Sequence, residues 1–297
     1  MRKILASVLL IAACTLAMGF ILAKRGATGR ALQRNSKDLA SDGLVFISPT
    51  HQDYDKELAA ILKKQDGATK EAADSVRPFS VILVNRSNKD VIAYAVQWEA
   101  VDAEGARAGQ IDSYIQPGTL MGADPPDDEK IKAMGSAVRA HQSRLLFWGG
   151  FDGDLRTLSK GGGVDPQLAG AVSVTASLDC AVFDDGTAVG PDTSNFFSQV
   201  EGQVQAKKDL LRSIHSQYFS GKPPAEILDA VGALAAQPEE NPSDNSPSSY
   251  YRYYRKQYAG EIAAIRRYEK DDVRTIMRAL QPLKKKWKDL KKAEKTH

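Results

Sequence analysis

The stretch FSVILVNRSNKDVIAYAVQWEAV, residues 79–101, is the densest β signal in the chain. Two runs rich in Val, Ile, Tyr and Phe flank Arg86-Ser87-Asn88-Lys89-Asp90, a polar cluster of turn formers, and this pattern predicts an antiparallel hairpin. Successive side chains of a strand point to opposite faces, so Phe79, Val81 and Leu83 share one face while Ile82 and Val84 take the other. Both faces are apolar, which predicts a central strand covered on both sides. In the second run Ile92, Tyr94, Val96 and Trp98 stand opposite Ala93, Ala95, Gln97 and Glu99. One heavy face suits a core, and the lighter one suits a partly wet surface.

A second strand signal lies at 172–183, where Val172, Val174, Ala176, Leu178, Cys180 and Val182 alternate with Ser173, Thr175, Ser177 and Asp179. A helix does not produce such regular alternation. Asp184-Asp185-Gly186-Thr187 then predicts a second hairpin, Asp-Gly supplying the left-handed backbone of its turn. Shorter strands are expected at 44–47 and 110–116 and within 137–148, where Leu145 to Trp148 form a buried run; a long acidic loop follows Pro117. Five to seven strands in about 110 residues, with no crossover helices between them, predict an antiparallel, immunoglobulin-like β-sandwich over residues 79–190.

Helical patterns surround this region. Tyr54, Leu58, Ile61 and Leu62 share one face of a short helix starting near Asp53, inside an otherwise tether-like segment 26–78 whose last part, 67–78, reads as a linker. Residues 191–236 read as an all-α extension. Phe196, Phe197, Val200, Val204, Leu211 and Ile214 line one side of a first helix, Gly221-Lys222-Pro223-Pro224 ends it, and 225–236 form a second. Residues 237–248, rich in Pro, Ser and Asn, have little to bury and read as a flexible linker.

Residues 249–294 predict a long basic amphipathic helix, bent or restarted at Pro282. Tyr250, Tyr254, Tyr258, Ile262, Ile265, Ile276 and Leu280 fall within one arc of about 120°. Arg266, Lys270, Arg274 and Arg278 run along the opposite side, and Lys284, Lys285, Lys286, Lys288, Lys291 and Lys292 continue the basic character around Trp287. The eight from Arg266 to Lys288 are the candidate binding surface for anionic lipid, cell-wall polymer or nucleic acid. The competing reading, commoner for charge runs, is a helix whose Tyr stripe packs on the sandwich while its Lys and Arg are solvated. No base-reading motif is present, so sequence-specific nucleic-acid binding is not expected.

The chain has 297 residues, 42% of them apolar, and a net charge of +3. From Tyr250 onward fifteen Lys and Arg face six Asp and Glu, leaving 25 against 31 elsewhere: an acidic body with a basic tail. At the other end, Met1-Arg2-Lys3 precedes twenty uncharged residues, 4–23, and then Lys24-Arg25. That length matches a bilayer, so residues 1–25 predict an uncleaved signal anchor or transmembrane helix, with the membrane as partner. Two rival readings remain open. Ile11-Ala12-Ala13-Cys14 resembles a lipobox that would lipidate Cys14, although the chain after Cys14 stays apolar; cleavage after Ala23 would place the ill-suited Ile21 two residues before it. Lys24, Arg25, Arg30 and Arg34 rival the basic N-terminus in setting orientation, but the very short N-terminal flank favours export of the body.

Chemistry-bearing motifs are few. His51, His141, His215 and His297 are scattered, without metal-ligand or nucleophile spacing. Asp152-Gly153-Asp154 lacks the remaining ligands of a calcium loop, and Asp124, Asp127, Asp128 and Glu129 read as a solvated acidic loop rather than a cation site. Asn85-Arg86-Ser87 meets the glycosylation pattern but sits at a strand end. Cys14 and Cys180 are not expected to pair, and Cys180 reads as a small core hydrophobe. No catalytic residue, metal or cofactor is therefore expected.

VILVNRSNKDVIAYAVQWEA and AVFDDGTAVGP, followed by a helical tail, resemble uncharacterised exported proteins of soil bacteria with an immunoglobulin-like domain. The resemblance covers residues 79–211 and implies fold and export, with no activity attached. The resulting expectation is a membrane-anchored, extracytoplasmic binding or scaffolding protein. The alternatives are a cytoplasm-facing tethered protein whose basic helix binds anionic lipid or nucleic acid, and an enzyme with a nonstandard site.

Overall fold

In the computed structural model, which describes residues 33–64, 69–115, 137–149, 168, 170–238, 242, 244–269 and 291–292, two sheets face each other across a shared apolar core. The chain order is β1 (Gln33–Lys37), β2 (Leu44–Ile47), α1 (Tyr54–Leu62), α2 (Lys70–Val76), β3 (Ser80–Asn85), β4 (Val91–Asp102) and β5 (Arg107–Ile115). It continues with β6 (Ser143–Phe147), β7 (Ala171–Phe183), β8 (Thr187–Val189), α3 (Phe196–Phe219), α4 (Pro224–Ala235), α5 (Pro247–Glu269) and β9 (Lys291–Lys292). The smaller sheet has the order β2-β3-β6 and is antiparallel throughout. The larger runs β5-β4-β7-β8-β9, its principal strands antiparallel.

The two runs of the opening stretch form strands, as expected, but not a hairpin. β3 is the centre of the small sheet and β4 lies in the large one, so residues 86–90 carry the chain from one sheet to the other. The reason lies in Asn85, which is fully buried. Its Oδ1 accepts from the Ser87 amide (3.0 Å) and hydroxyl (2.7 Å), while its Nδ2 donates to the carbonyls of Lys89 (2.8 Å) and Val138 (3.1 Å). Such an Asx turn directs the backbone out of the plane of β3. Val91 then pairs with Val138 in an isolated antiparallel bridge, which joins the crossing to the segment before β6. Gly43, at φ +80°, lies against Ser87, where a Cβ would stand 3.0 Å from the Ser87 nitrogen.

β3 is covered on both sides, as its composition predicts. Val81 and Leu83 enter the core between the sheets with Leu44, Phe46 and Leu146, against Tyr94, Val96 and Trp98 of β4. Ile82 turns the other way and packs with Ile47, Leu145 and Phe147 under Tyr54, Leu58 and Ile61 of α1 and Ala73 and Val76 of α2. The segment 67–78, read as a linker, contains helix α2. Its signals are short: the Thr69 hydroxyl caps the Ala72 amide at 3.1 Å, and Ala72, Ala73 and Val76 supply a buried stripe.

The large sheet differs from its sequence reading at two points. β7 does not keep one face. Ala95 pairs with Cys180 and Val96 with Leu178, so Asp179 is an extra residue, a β-bulge. Beyond it the alternation inverts: Val174, Ala176 and Leu178 face the other sheet, whereas Cys180 and Val182 face away and Ala181 and Phe183 turn inward. A further irregularity moves Ile92 off the face of Tyr94. The second difference is parallel pairing, of β1 with β7 and of β9 with β8, in a sheet expected to be wholly antiparallel. The far edge of β7 is divided between β1 at 173–177 and β8 at 181–182, and neither β1 nor β9 is constrained by a tight turn to run antiparallel. The predicted hairpin between β7 and β8 forms, with Gly186 at φ +87°.

The face expected to be partly wet is covered at one end. Ala93, Ala95, Cys180, Val182 and Ala188 are small enough to let α3 approach, and Phe196, Val200 and Val204 fill the space. Asp179 sets this docking. Its side chain accepts from the Thr193 amide (2.8 Å) and hydroxyl (2.7 Å) and from the Ser194 amide (3.0 Å) and hydroxyl (2.5 Å), fixing the turn that launches α3. Burial works to raise its pKa, but these donors outweigh burial and hold it below the ordinary 3.8.

Helices α3, α4 and α5 share a separate core built on Ala206, Leu210, Ile214, Ile227, Leu228, Tyr258 and Ile262. The segment read as a flexible linker is hydrogen-bonded from Asp244 onward: the Asp244 carboxylate accepts from Ser246, and Ser246 Oγ accepts from the Ser249 amide at the start of α5. Among the described residues no helix is long and apolar enough to cross a membrane; residues 4–23 lie outside them.

Replacing Asp179 with Ala strands the Thr193 and Ser194 donors, and the expected loss is on the order of 2–4 kcal/mol. Urea unfolding measures it. The carboxylate's contribution is present above pH 3.8 and lost as pH falls through the depressed folded value, so the gap to wild type narrows on strong acidification.

Candidate functional site

Helix α3 places Gln199, Gln203 and Lys207 four residues apart, which puts them on one stripe. Opposite them α5 carries Tyr254, Tyr258 and Glu261 on neighbouring turns. The backbones meet closely at the entry to α5. A Cβ on Gly202 would lie 2.6 Å from Tyr250 Cβ, 2.7 Å from the Pro247 carbonyl oxygen and 2.8 Å from the Tyr251 nitrogen. Only glycine fits this contact, and its small size draws the next two turns of α3 against the tyrosine stripe. Tyr250, Tyr254 and Tyr258 follow one another with ring centroids 6.4 and 6.3 Å apart.

The pairing along this seam is uneven. Gln199 Nε2 donates to Tyr254 Oη at 2.7 Å. One turn on, Gln203 Oε1 and Tyr258 Oη are both buried, close enough for the amide to influence the phenol, yet without a hydrogen bond of normal geometry. A further turn on, Lys207 is 1% exposed and its Nζ has no hydrogen-bond partner among the described residues. It lies 5.6 Å from the centroid of the Tyr258 ring. Glu261 is the carboxylate whose field reaches it, but that side chain stands at the exposed rim.

Burial disfavours a charged amine, and here it outweighs the attraction of Glu261: the Lys207 pKa falls from 10.5 to about 7. The same burial raises the Tyr258 phenol, and raises Tyr254 despite the hydrogen bond from Gln199. Glu261, exposed but partly desolvated at that rim, is raised as well, with Lys207 opposing. Near neutrality this lysine therefore exchanges between amine and ammonium. A neutral amine is a nucleophile and a proton acceptor. Enclosed as it is, Lys207 meets no substrate in this conformation, and what it does in place is titrate.

The sequence-predicted basic surface falls mostly elsewhere. Arg266 belongs to α5; Lys270, Arg274, Arg278, Lys284, Lys285, Lys286 and Lys288 lie outside the described residues. The tyrosine stripe does pack, on α3 and α4 rather than on a sheet. His51 receives the Asp53 amide, His141 lies 3.0 Å from Asn88 Oδ1 and His215 lies tilted against Phe219 with ring centroids 4.3 Å apart, three separate places. His297, Cys14, the Asp124–Glu129 group and Asp152 and Asp154 lie outside the described residues. Cys180 is buried and forms no disulfide among the described residues. Among the described residues no three His, Cys, Asp or Glu side chains gather as metal ligands. A cavity of about 10 Å³, room for one water, lies between the sheets beside Ser48, Ser80 and Trp98. Near it Asp112 accepts from Gln110 at 2.9 and 3.0 Å and from the Gly149 amide at 3.3 Å, with burial raising its pKa.

A lysine followed by Lys208 and Asp209 has the composition of a solvated face, so composition does not single out Lys207. The available signal was its register: it continues the Gln199–Gln203 stripe, and Gly202 marks a close approach. Comparison with protein-family models, curated proteins and solved structures returns no match for the chain.

Two substitutions test this seam. Gly202→Ala forces the helices apart and should cost on the order of 1–3 kcal/mol, seen as a lower Tm. Lys207→Met should do the opposite. The unfolded chain holds the Lys207 proton up to 10.5 and the folded chain only to about 7, so the lysine penalises folding fully below pH 7 and not at all above 10.5. Stabilisation by Met should be on the order of a few kcal/mol at pH 6 and fade between pH 7 and 10.5 in thermal melts.

Proposed function

We propose that the chain is a membrane-anchored, extracytoplasmic protein whose immunoglobulin-like β-sandwich serves as a binding or scaffolding module, like the exported bacterial proteins that its strand motifs resemble. The observation that carries this reading is β1. It begins at Gln33, with nine residues between it and Ala23, and pairs along the core strand β7. A nine-residue connection spans at most about 30 Å, so an apolar segment in a bilayer would hold the sheets close to the lipid surface. Two sheets across one core, with helices on their outer faces, provide a rigid body for such presentation.

The sandwich's exposed edges and loops, rather than a deep pocket, would meet the partner. The basic residues from Arg266 to Lys288 add a surface for an anionic polymer or lipid. Burial of the tyrosine stripe against α3 and α4 supports this, because it occupies the apolar side of α5 and leaves the opposite side to carry charge.

Membrane fractionation of the full chain, with a reporter fused after His297, tests the reading. The protein should stay in the membrane fraction through high-salt washing, leave it when residues 1–25 are deleted, and show reporter activity on the extracytoplasmic side. Reporter activity on the cytoplasmic side would support the runner-up, in which the basic helix binds anionic lipid or nucleic acid from within. Release by salt alone would overturn the anchor.

A further inference from the structure

Five buried side-chain atoms lack a hydrogen-bond partner among the described residues, and four of them belong to α3 and α5: Gln203 Oε1, Lys207 Nζ, Arg255 Nε and Tyr258 Oη. Unpaired polar groups are rarely concentrated in one interface, because each costs desolvation without return. Here Gln203, Lys207 and Tyr258 lie together along the contact between α3 and α5. The elements around Lys207 leave its charge little help. From α5 it faces Tyr258, Tyr254 beyond, and Glu261 at the rim, while the Arg255 guanidinium lies over the Tyr251 ring at 6.0 Å. α4 turns Ile227, Leu228 and Val231 to this core and keeps Glu226 and Asp229 exposed. The large sheet packs on α3 through Ala93, Ala95, Cys180, Val182 and Ala188, and its charged group Asp179 lies at the turn before α3, bonded to Thr193 and Ser194.

A charged Lys207 therefore needs water, and the direct route to it is between α3 and α5. The core that α5 shares with α3 and α4 is distinct from the core between the sheets and from that under α1 and α2. Withdrawing α5 uncovers the first without opening the others. We infer that the α3–α5 contact is a proton-operated latch: when Lys207 takes up a proton, α5 loosens from α3 while both sheets stay packed. Loosening bares Tyr254, Tyr258 and Ile262, an apolar face that the closed form hides.

Hydrogen exchange of the full chain, corrected for the intrinsic pH dependence of amide exchange, tests the latch. The opening constant for amides of α5 around Tyr258 to Ile262 should rise about tenfold for each pH unit between 9.5 and 7.5, then level off below about 7. Amides of β4 and β7 should keep their protection. In Lys207→Met the α5 opening should no longer vary with pH. An unchanged pH dependence in Lys207→Met, or equal loss of protection in β4 and β7, would overturn the latch. If the Met variant does not fold, the 13Cε resonance of Lys207 in the wild type decides: titration near 7 in step with α5 opening supports it, and titration near 10.5 refutes it.

Discussion

The Asp179 bulge is the constraint on which the rest of the C-terminal half depends. One extra residue in β7 reverses which side chains face the other sheet, so a single strand serves two cores: Leu178 on one side, then Cys180 and Val182 on the other. The extra residue is an aspartate whose carboxylate collects four donors from Thr193 and Ser194. Strand irregularity and helix entry are thus one device. Without it the alternation of β7 would keep Cys180 and Val182 between the sheets, and α3 would have no apolar patch to cover.

From that anchored start α3 crosses the sheet and presents its second face to α4 and α5. Glycine at position 202 permits the close approach, and the tyrosines of α5 fill the groove that results. Lys207 sits further along this seam, buried and without a hydrogen-bond partner among the described residues. Its burial weakens the closed state and makes the state sensitive to protons, which a methionine of similar reach would not. A buried group that costs stability where a methionine would not is what separates this seam from ordinary helix packing.

Much of the fold was legible in local pattern. The two-sided apolar character of β3, the β7–β8 turn at Gly186, helix α1 after Asp53 and helix α3 before Gly221 all lie where composition and periodicity place them. Less legible were α2, with only seven residues and one capping threonine, and the turn from Asp244 to Ser246, whose polar residues read as solvated but bond to one another. The tyrosine stripe of the candidate site was legible as an apolar arc, but Lys207 was not, since its place on the Gln199–Gln203 stripe gains meaning only once α5 packs there.

Residue order by itself determined where strands and helices form, because side-chain periodicity and turn chemistry act over a few residues. It also set the apolar stretch at 4–23 and the basic C-terminal stretch as features of the chain. Tertiary structure alone decided that β3 and β4 part into different sheets, that β7 changes face at Asp179, and that Lys207 is enclosed. Each of these outcomes depends on partners distant in the chain: Val138 for Asn85, Thr193 for Asp179, Tyr258 for Lys207. Burial and hydrogen-bond satisfaction are properties of an assembled neighbourhood, and no window of neighbouring residues contains them.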